Sequence, residues 1–329
     1  MKTSLICTVI NEEKTVRNLL DSILKQTRKP DEIVIVDGGS RDSTVKVLKE
    51  HSKGFPIPVK IIVADRANIS QGRNIAIEKA KGPVIVSTDG GTVHDRNWFK
   101  NIVKNIEEGY DVSAGLFYPL PKTEFEEIVG KLFYPNMDNV PDDWPPSSRS
   151  AAFTKKVWKK SGGYPEELYT AEDSIFNYRL KAIGARFKVA RGAKSYWRPR
   201  ANFSKFFKQY FTYARGNGEA LLALKHYPEN RILLLFWFWV LFGIVAYFSG
   251  SIIGYVSYII FITCGIILPI IVVFIYCWRE LKKVGRACLG LGLSISAFIA
   301  NILGNHYGIL RRALGLVKVK KVKNIKIVK

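Results

Sequence analysis

Two aspartates stand where chemistry could be done. Asp37 follows the run Glu32-Ile33-Val34-Ile35-Val36 and opens Asp37-Gly38-Gly39-Ser40; Asp89 follows Pro83-Val84-Ile85-Val86-Ser87-Thr88 and opens Asp89-Gly90-Gly91. A third polar cluster, residues 8–12, ends the first apolar run. A carboxylate at the end of a buried strand meets a bound ligand without dilution by solvent. A nucleotide diphosphate carries dense negative charge that a bare carboxylate repels. The pairing therefore makes sense if one Asp holds a divalent cation bridging the diphosphate and the other hydrogen-bonds base or ribose hydroxyls. The competing reading is that Asp-Gly after a strand is only a turn.

The elements that must carry these residues alternate. Residues 4–10 are apolar and β-branched and read as a buried strand. Residues 13–26 place Val16, Leu19, Leu20, Ile23 and Leu24 at helical spacing. Strands at 32–36, 59–63 and 83–87 then alternate with helices at 43–51, 71–81 and 97–108. This order predicts an α/β fold with a mostly parallel, doubly wound sheet, in which ligands bind beyond the carboxyl ends of the strands. From 111 to 202 the pattern loosens, with a loop-rich stretch at 135–149, a helix at 154–161 and a clearer one at 173–183 closed by Gly184. A mobile or acceptor-binding region fits this stretch better than a second core.

Charge and hydropathy divide the chain. Of 50 basic and 28 acidic residues, only 13 and one respectively fall after Asn230, interleaved with long apolar runs. Residues 232–248 and 252–277 hold no charge and read as two membrane spans joined by Ser249-Gly250-Ser251. A third apolar segment, 287–310, contains Ser294, Ser296, Asn301, Asn305 and His306 and is expected to be re-entrant or interfacial. Arg279, Lys282, Lys283, Arg286 and the basic tail 311–329 belong on the cytoplasmic face, which makes the expected protein a multi-pass cell-membrane protein with its first domain in the cytoplasm. The basic residues are thus accounted for by membrane lipids, and nucleic acid is excluded as a partner. Cys7, Cys264, Cys277 and Cys288, like the four histidines, show no metal-ligand spacing.

Several motifs occur together in a recognisable order. Thr8-Val9-Ile10-Asn11-Glu12 and Val36-Asp37-Gly38-Gly39-Ser40-Arg41-Asp42-Ser43-Thr44 resemble the opening of family 2 glycosyltransferases of the GT-A fold. Gly72-Arg73-Asn74 precedes the fourth strand, and Thr88-Asp89-Gly90-Gly91 stands where the family's metal motif falls. Ser148-Arg149-Ser150 leads toward Gly162-Gly163-Tyr164-Pro165-Glu166, and Ala171-Glu172-Asp173 opens the helix bearing Arg179. The resemblance covers residues 3–220, which implies a Rossmann-like GT-A catalytic domain over 1–220 followed by an α-helical transmembrane anchor over 221–329.

By that resemblance Thr8, Asn11, Glu12 and Asp37 line a base and ribose pocket, and Arg73 lies near the phosphates. Asp89 coordinates Mg²⁺ or Mn²⁺ on the diphosphate, and Asp173 is the base that deprotonates the acceptor hydroxyl. Arg149 reads equally as a contact to diphosphate or acceptor and as a structural ion pair. Glu172 either orients the base or binds the acceptor, or else complements the helix dipole. Gln209 to Gly216 resembles an element that covers the acceptor in processive members, with its Arg displaced to Arg215 and the following Trp absent; it reads as an aromatic, basic interfacial helix, as a site element with Arg215 reaching the leaving diphosphate, or as both. The family's metal motif is commonly Asp-x-Asp; here Gly91 takes the third place, so Asp89 alone would hold the cation, with Asp95 either a second carboxylate or a helix cap.

The expected function is inverting transfer of a sugar from a nucleoside diphosphate sugar to a lipid-linked acceptor in the membrane. A processive polysaccharide synthase needs more spans. A silent scaffold of the same fold is disfavoured because close, unpaired carboxylates cost stability.

Overall fold

The computed structural model describes residues 1–221, 231–248, 254, 256–259, 265, 267–318 and 325–328. The linker expected at 249–251, most of the first half of the span expected at 252–277, Cys264, His226 and residues 319–324 of the basic tail lie outside them. The chain divides into two units, one of residues 1–120, 135–199 and 317–329, the other of 121–134 and 200–316. Composition places the break at 220 instead. Residues 121–134 and 200–219 are hidden from that reading because their apolar faces pack on the later helices.

The first unit is built on nine strands: β1 (Thr3–Val9), β2 (Glu32–Asp37), β3 (Val59–Ala64), β4 (Val84–Asp89), β5 (Thr92–His94), β6 (Val112–Pro119), β7 (Ser150–Thr154), β8 (Phe187–Trp197) and β9 (Ile325–Val328). They form one sheet in the order β5-β8-β6-β7-β4-β1-β2-β3-β9. The half β4-β1-β2-β3 is parallel, as the strand–helix alternation predicts. The other half corrects the expectation of a mostly parallel sheet. β7 runs antiparallel to both β4 and β6, β5 is antiparallel to β8, and β9 is antiparallel to β3. Only β6 and β8 pair in parallel there. The sheet is therefore mixed.

Side chains alternate across β1, as pleated strands require. Leu5, Cys7 and Val9 enter one core with α1 (Val16–Leu24), Leu48 of α2 (Thr44–Ser52) and Trp98, Phe99, Ile102 and Val103 of α4 (Trp98–Glu107). Ile6 enters the other, with Ile75, Ala76 and Ile77 of α3 (Ile69–Lys79), Val157 of α6 (Lys155–Lys160), and Phe176 and Leu180 of α7 (Glu172–Ala182). Each fully buried Ile, Leu or Val contributes about 2 kcal/mol of transfer free energy, so the two cores hold the strand ends in register.

The second unit contains α5 (Glu124–Phe133), α8 (Phe203–Glu219), α9 (Arg231–Phe248), α10 (Leu268–Leu281) and α11 (Val284–Ala313). Ile128, Val129, Phe206, Cys277, Leu281, Ala287 and Leu293 form its core. α8 and α11 touch at backbone distance: a Cβ at Gly308 would lie 2.1 Å from the Arg215 carbonyl oxygen, and one at Gly218 2.3 Å from that of Asn305. Glu219 is buried at this contact and binds Arg311 at 2.7 Å.

α11 is unbroken over its 30 residues, about 45 Å at 1.5 Å per residue. The segment expected to re-enter therefore has no reversal. Among the described residues α11 is the one helix long and apolar enough, by length and composition, to cross a membrane. α9 and α10 have 18 and 14 residues, about 27 and 21 Å. Leu289, Ile295, Phe298, Ile299 and Leu303 of α11 and Ile271, Val272 and Ile275 of α10 are exposed, more large apolar side chains than water favours.

Candidate active site

Parallel pairing puts three of the expected residues side by side. Thr8 stands opposite Asp89, and Val9 opposite Asp37, at the carboxyl ends of β1, β4 and β2. α3 can approach β1 there because position 72 is glycine: a Cβ would come within 2.9 Å of Thr8 Cγ2. The buried Thr8 hydroxyl oxygen has no hydrogen-bond partner among the described residues. That is an unmet polar atom at the mouth of the sheet.

Asp37 is spent largely on its own loop. Its Oδ2 accepts the backbone N–H groups of Gly39 at 3.0 Å and Ser40 at 2.9 Å, and its Oδ1 accepts the Ser40 hydroxyl. Asn11, in the left-handed region at φ 55°, ties its own loop to this one: its N–H donates to Ser40 Oγ at 2.8 Å, and its Oδ1 accepts from the Arg41 N–H at 2.9 Å. The Glu12 N–H donates to Thr44 Oγ1 at 2.7 Å. The turn reading of Asp37 is thus realised, and the turn draws residues 11–12 and 37–44 into one rim.

Arg73 is the hub of the site. It is 1% exposed on α3, whose start is fixed by a reciprocal pair of hydrogen bonds between Asn68 and Gln71. One terminal nitrogen binds Asp89 Oδ1 at 2.8 Å; the other binds Glu172 at 2.7 Å and Asp173 Oδ1 at 3.0 Å. Glu172 and Asp173 are presented by the first turn of α7, which opens on Ala171 in a left-handed conformation, φ 65°. Asp173 Oδ2 accepts the Ser148 N–H at 3.1 Å and the Ser147 hydroxyl at 3.3 Å. The side chain expected beside the phosphates has its two terminal nitrogens engaged by carboxylates.

The electrostatics follow from that geometry. Burial opposes the Arg73 charge, yet Asp89, Asp173 and Glu172 hold its pKa well above the ordinary value. Burial and then the neighbouring Asp173 charge push Glu172 up to about 8. Asp173 is held low: burial works against it, but Arg73, the Ser148 donors and Arg149 prevail. Of the adjacent pair, Glu172 keeps the proton and Asp173 the charge. The shortest contact nevertheless goes to Glu172, whose carbonyl oxygen can accept from Arg73 while the group is neutral.

Asp89 is supported from behind by groups that no motif marked. The Thr92 hydroxyl donates to the Asp89 carbonyl and lies 3.0 Å from Thr88 Oγ1, which lies 2.8 Å from His94 Nε2. His94 Nδ1 reaches Ser195 Oγ at 3.0 Å; Ser195 donates to Ser150 Oγ at 3.1 Å, and Trp98 Nε1 donates to the same oxygen at 2.8 Å. His94 stacks on Trp98 with ring centroids 3.6 Å apart, and burial drives its pKa down to about 3, so it is neutral. A histidine in a three-residue strand is the only sequence trace of this chain. The Asp95 carboxylate accepts the Asn97 N–H at 3.0 Å, so it serves the start of α4.

Among the described residues no group of three or more His, Cys, Asp or Glu could cage a metal. Asp89 fits the sparser arrangement. Its side chain is 28% exposed, and the oxygen not bound to Arg73 is available to a cation that takes its other ligands from diphosphate and water. Glu12 borders the same place, its carboxylate oxygens 3.9 Å from where a Cβ at Gly91 would stand. Arg149 is half-buried, with its guanidinium carbon 4.0 Å from the Trp197 ring centroid and 5.1 Å from that of Phe117. Arg215 belongs to the second unit, where Glu219 lies 3.6 Å away.

Residues 4–161 match the family model described as glycosyl transferase family 2. The chain is similar to the O-antigen chain rhamnosyltransferase RfbN of Salmonella typhimurium, 25% identical over 63% of this chain and 71% of that protein. It is also similar to an undecaprenyl-phosphate 4-deoxy-4-formamido-L-arabinose transferase of Pseudomonas fluorescens, 31% identical over 33% of each chain. The share of a curated relative's length that is matched runs from 20% to 80%. Among solved structures, the mannosyltransferase PcManGT of Pyrobaculum calidifontis, in complex with GDP-Man and Mn²⁺, aligns with a TM-score of 0.59 and 16% identity over 92% of this chain and 87% of that one. At that identity the likeness is one of fold.

Proposed function

We propose that the chain, whose residues 4–161 match the glycosyl transferase family 2 model, moves a sugar, with inversion, from a nucleoside diphosphate sugar to a lipid-linked acceptor at a membrane. The observation that carries this reading is the arrangement around Arg73: Asp89 and Asp173 held on one buried cation at the carboxyl ends of the strands, with one Asp89 oxygen open.

Thr8, Asn11, Glu12 and Asp37 form the rim for base and ribose. Asp173 accepts the acceptor's proton. Its ionised form suits that role, and the 3.3 Å contact from Ser147 is the weakest of its bonds and the one an acceptor hydroxyl would replace. If the acceptor oxygen belongs to a phosphate, it arrives ionised and Asp173 orients it instead. A divalent cation, Mg²⁺ or Mn²⁺, bound through Asp89 would neutralise the departing diphosphate. The carboxylates alone would repel that group. A membrane site is supported by the apolar surface of α10 and α11 and by the lipid named in the undecaprenyl-phosphate relative's description.

One observation favours a second reading, a silent scaffold. The carboxylates are not costly orphans: Asp37 is tied to its turn, and Asp89 and Asp173 share Arg73. Their presence therefore does not by itself imply catalysis.

Thermal unfolding of the purified chain with UDP, GDP and their sugar conjugates, with and without Mn²⁺, decides between the readings. A ligand that binds only the folded state raises the melting temperature by mass action. A Mn²⁺-dependent shift selective for one base, lost in Asp89→Asn, supports the transferase. No shift with any nucleotide refutes it.

A further inference from the structure

The site contains two arginines, and they differ in what they already hold. Both terminal nitrogens of Arg73 are taken by carboxylates. Arg149 makes no hydrogen bond and no ion pair among the described residues. It is held instead by two aromatic faces, Trp197 at 4.0 Å and Phe117 at 5.1 Å. Ring faces grip a guanidinium by its plane and leave the donors on its edge free. The Arg149 Nε is buried with no acceptor, while the two terminal nitrogens are not buried. A half-buried cation with an unmet donor is expensive unless an anion completes it.

Its surroundings identify that anion. Trp197 comes within 4.0 Å of where a Cβ at Gly91 would stand, two residues from Asp89. Ser148, the residue before Arg149, donates its N–H to Asp173, and the Arg149 charge is felt at that carboxylate. Arg149 thus sits between the loop of Asp89 and the carboxylate of Asp173. Gly91 adds no further negative charge at this edge.

We propose that Arg149, clamped by Trp197 and Phe117, is the protein's direct cationic contact to the terminal phosphoryl oxygens of the nucleoside diphosphate. The inference rests on the transferase reading. In the transfer, the acceptor oxygen bonds to the anomeric carbon and its proton passes to Asp173. The bond from that carbon to the terminal phosphoryl oxygen breaks, and the electron pair stays on this oxygen, beside Arg149.

The test uses full-length protein in detergent and calorimetric titration with the nucleoside diphosphate that stabilises the wild type, and with its monophosphate. Arg149→Met keeps an apolar chain between the rings and removes the charge. It is expected to weaken diphosphate binding by about 10- to 100-fold, the scale of a lost charged hydrogen bond, while leaving monophosphate binding unchanged. Arg149→Lys keeps the charge without the fork and is expected to fall between, again for the diphosphate only; it carries the test if the Met variant does not fold. Equal diphosphate affinity in the variants, or an equal loss for both nucleotides, overturns the proposal. A wild type that binds no nucleotide overturns the transferase reading itself, and the inference with it.

Discussion

Glu172 gives the sharpest quantitative expectation. In the unfolded chain its carboxyl ionises near 4.5; in the folded chain burial beside Asp173 raises that to about 8. Between those values the folded state holds a proton that the unfolded state has released, so stability falls as pH rises through the window and is level above it. At about 1.4 kcal/mol per pH unit, the full crossing is on the order of 5 kcal/mol. Asp173 works in the opposite sense but elsewhere: its pKa is depressed, so its stabilisation is complete above the ordinary carboxylate range and is lost only in acid. Glu172→Gln keeps an oxygen to accept from Arg73, now 2.7 Å away, and cannot ionise. The variant should match the wild type at pH 5 and exceed it increasingly up to about pH 8, the gap staying constant beyond, when unfolding of the full chain is followed by tryptophan fluorescence at each pH. Parallel stability curves for the two proteins would refute the assignment of the proton to Glu172.

Arg73→Met leaves three carboxylates around an apolar chain and should cost about 3–5 kcal/mol; a melting temperature near that of wild type would mean the hub does not hold them together. His94 refuses a proton until about pH 3, whereas the unfolded chain takes one below 6.5, so its contribution is present above 6.5 and lost as pH falls. His94→Gln should therefore flatten the acid side of the stability profile, read by the same unfolding assay. Gly308→Ala must part α8 from α11 and should cost about 1–3 kcal/mol, while Gly292→Ala, which meets nothing within 4 Å, serves as the neutral comparison.

The parallel half of the fold was readable because β2 and β4 carry the apolar runs Ile33–Val36 and Val84–Val86 and each ends in Asp-Gly-Gly. Parallel strands with helices on both faces place such endings on one edge, which brings Thr8, Asp37 and Asp89 together. The antiparallel half was not readable. β8 alternates lysines and arginines with small residues, and β7 is only five residues long, so neither shows the apolar run or the clear period-two pattern that identifies a strand. The place of Arg73 was missed for a different reason: its partners Glu172 and Asp173 lie about a hundred residues away, and nothing local to α3 distinguishes a buried hub from an exposed phosphate contact. Arg149 was open between ion pair and ligand contact, and only Trp197 and Phe117, from two different strands, close the first of these. The basic tail 311–329 reads from its charge only as a cytoplasmic flank, although Ile325–Val328 pair with β3.

That last pairing bears on biosynthesis. Ile61 of β3 is paired with Val328, so the outer edge of the sheet stays uncovered until more than 260 further residues, the apolar helices among them, have been made. During that interval β3 presents free backbone donors and acceptors to whatever strand it meets first. Lys60 and Lys326, the charged residues on the two partners, are the features that discourage a stranger and yet admit the intended segment last. Assembly of the sheet therefore ends after α10 and α11 have been synthesised, so its last strand is added to a chain whose apolar helices already exist.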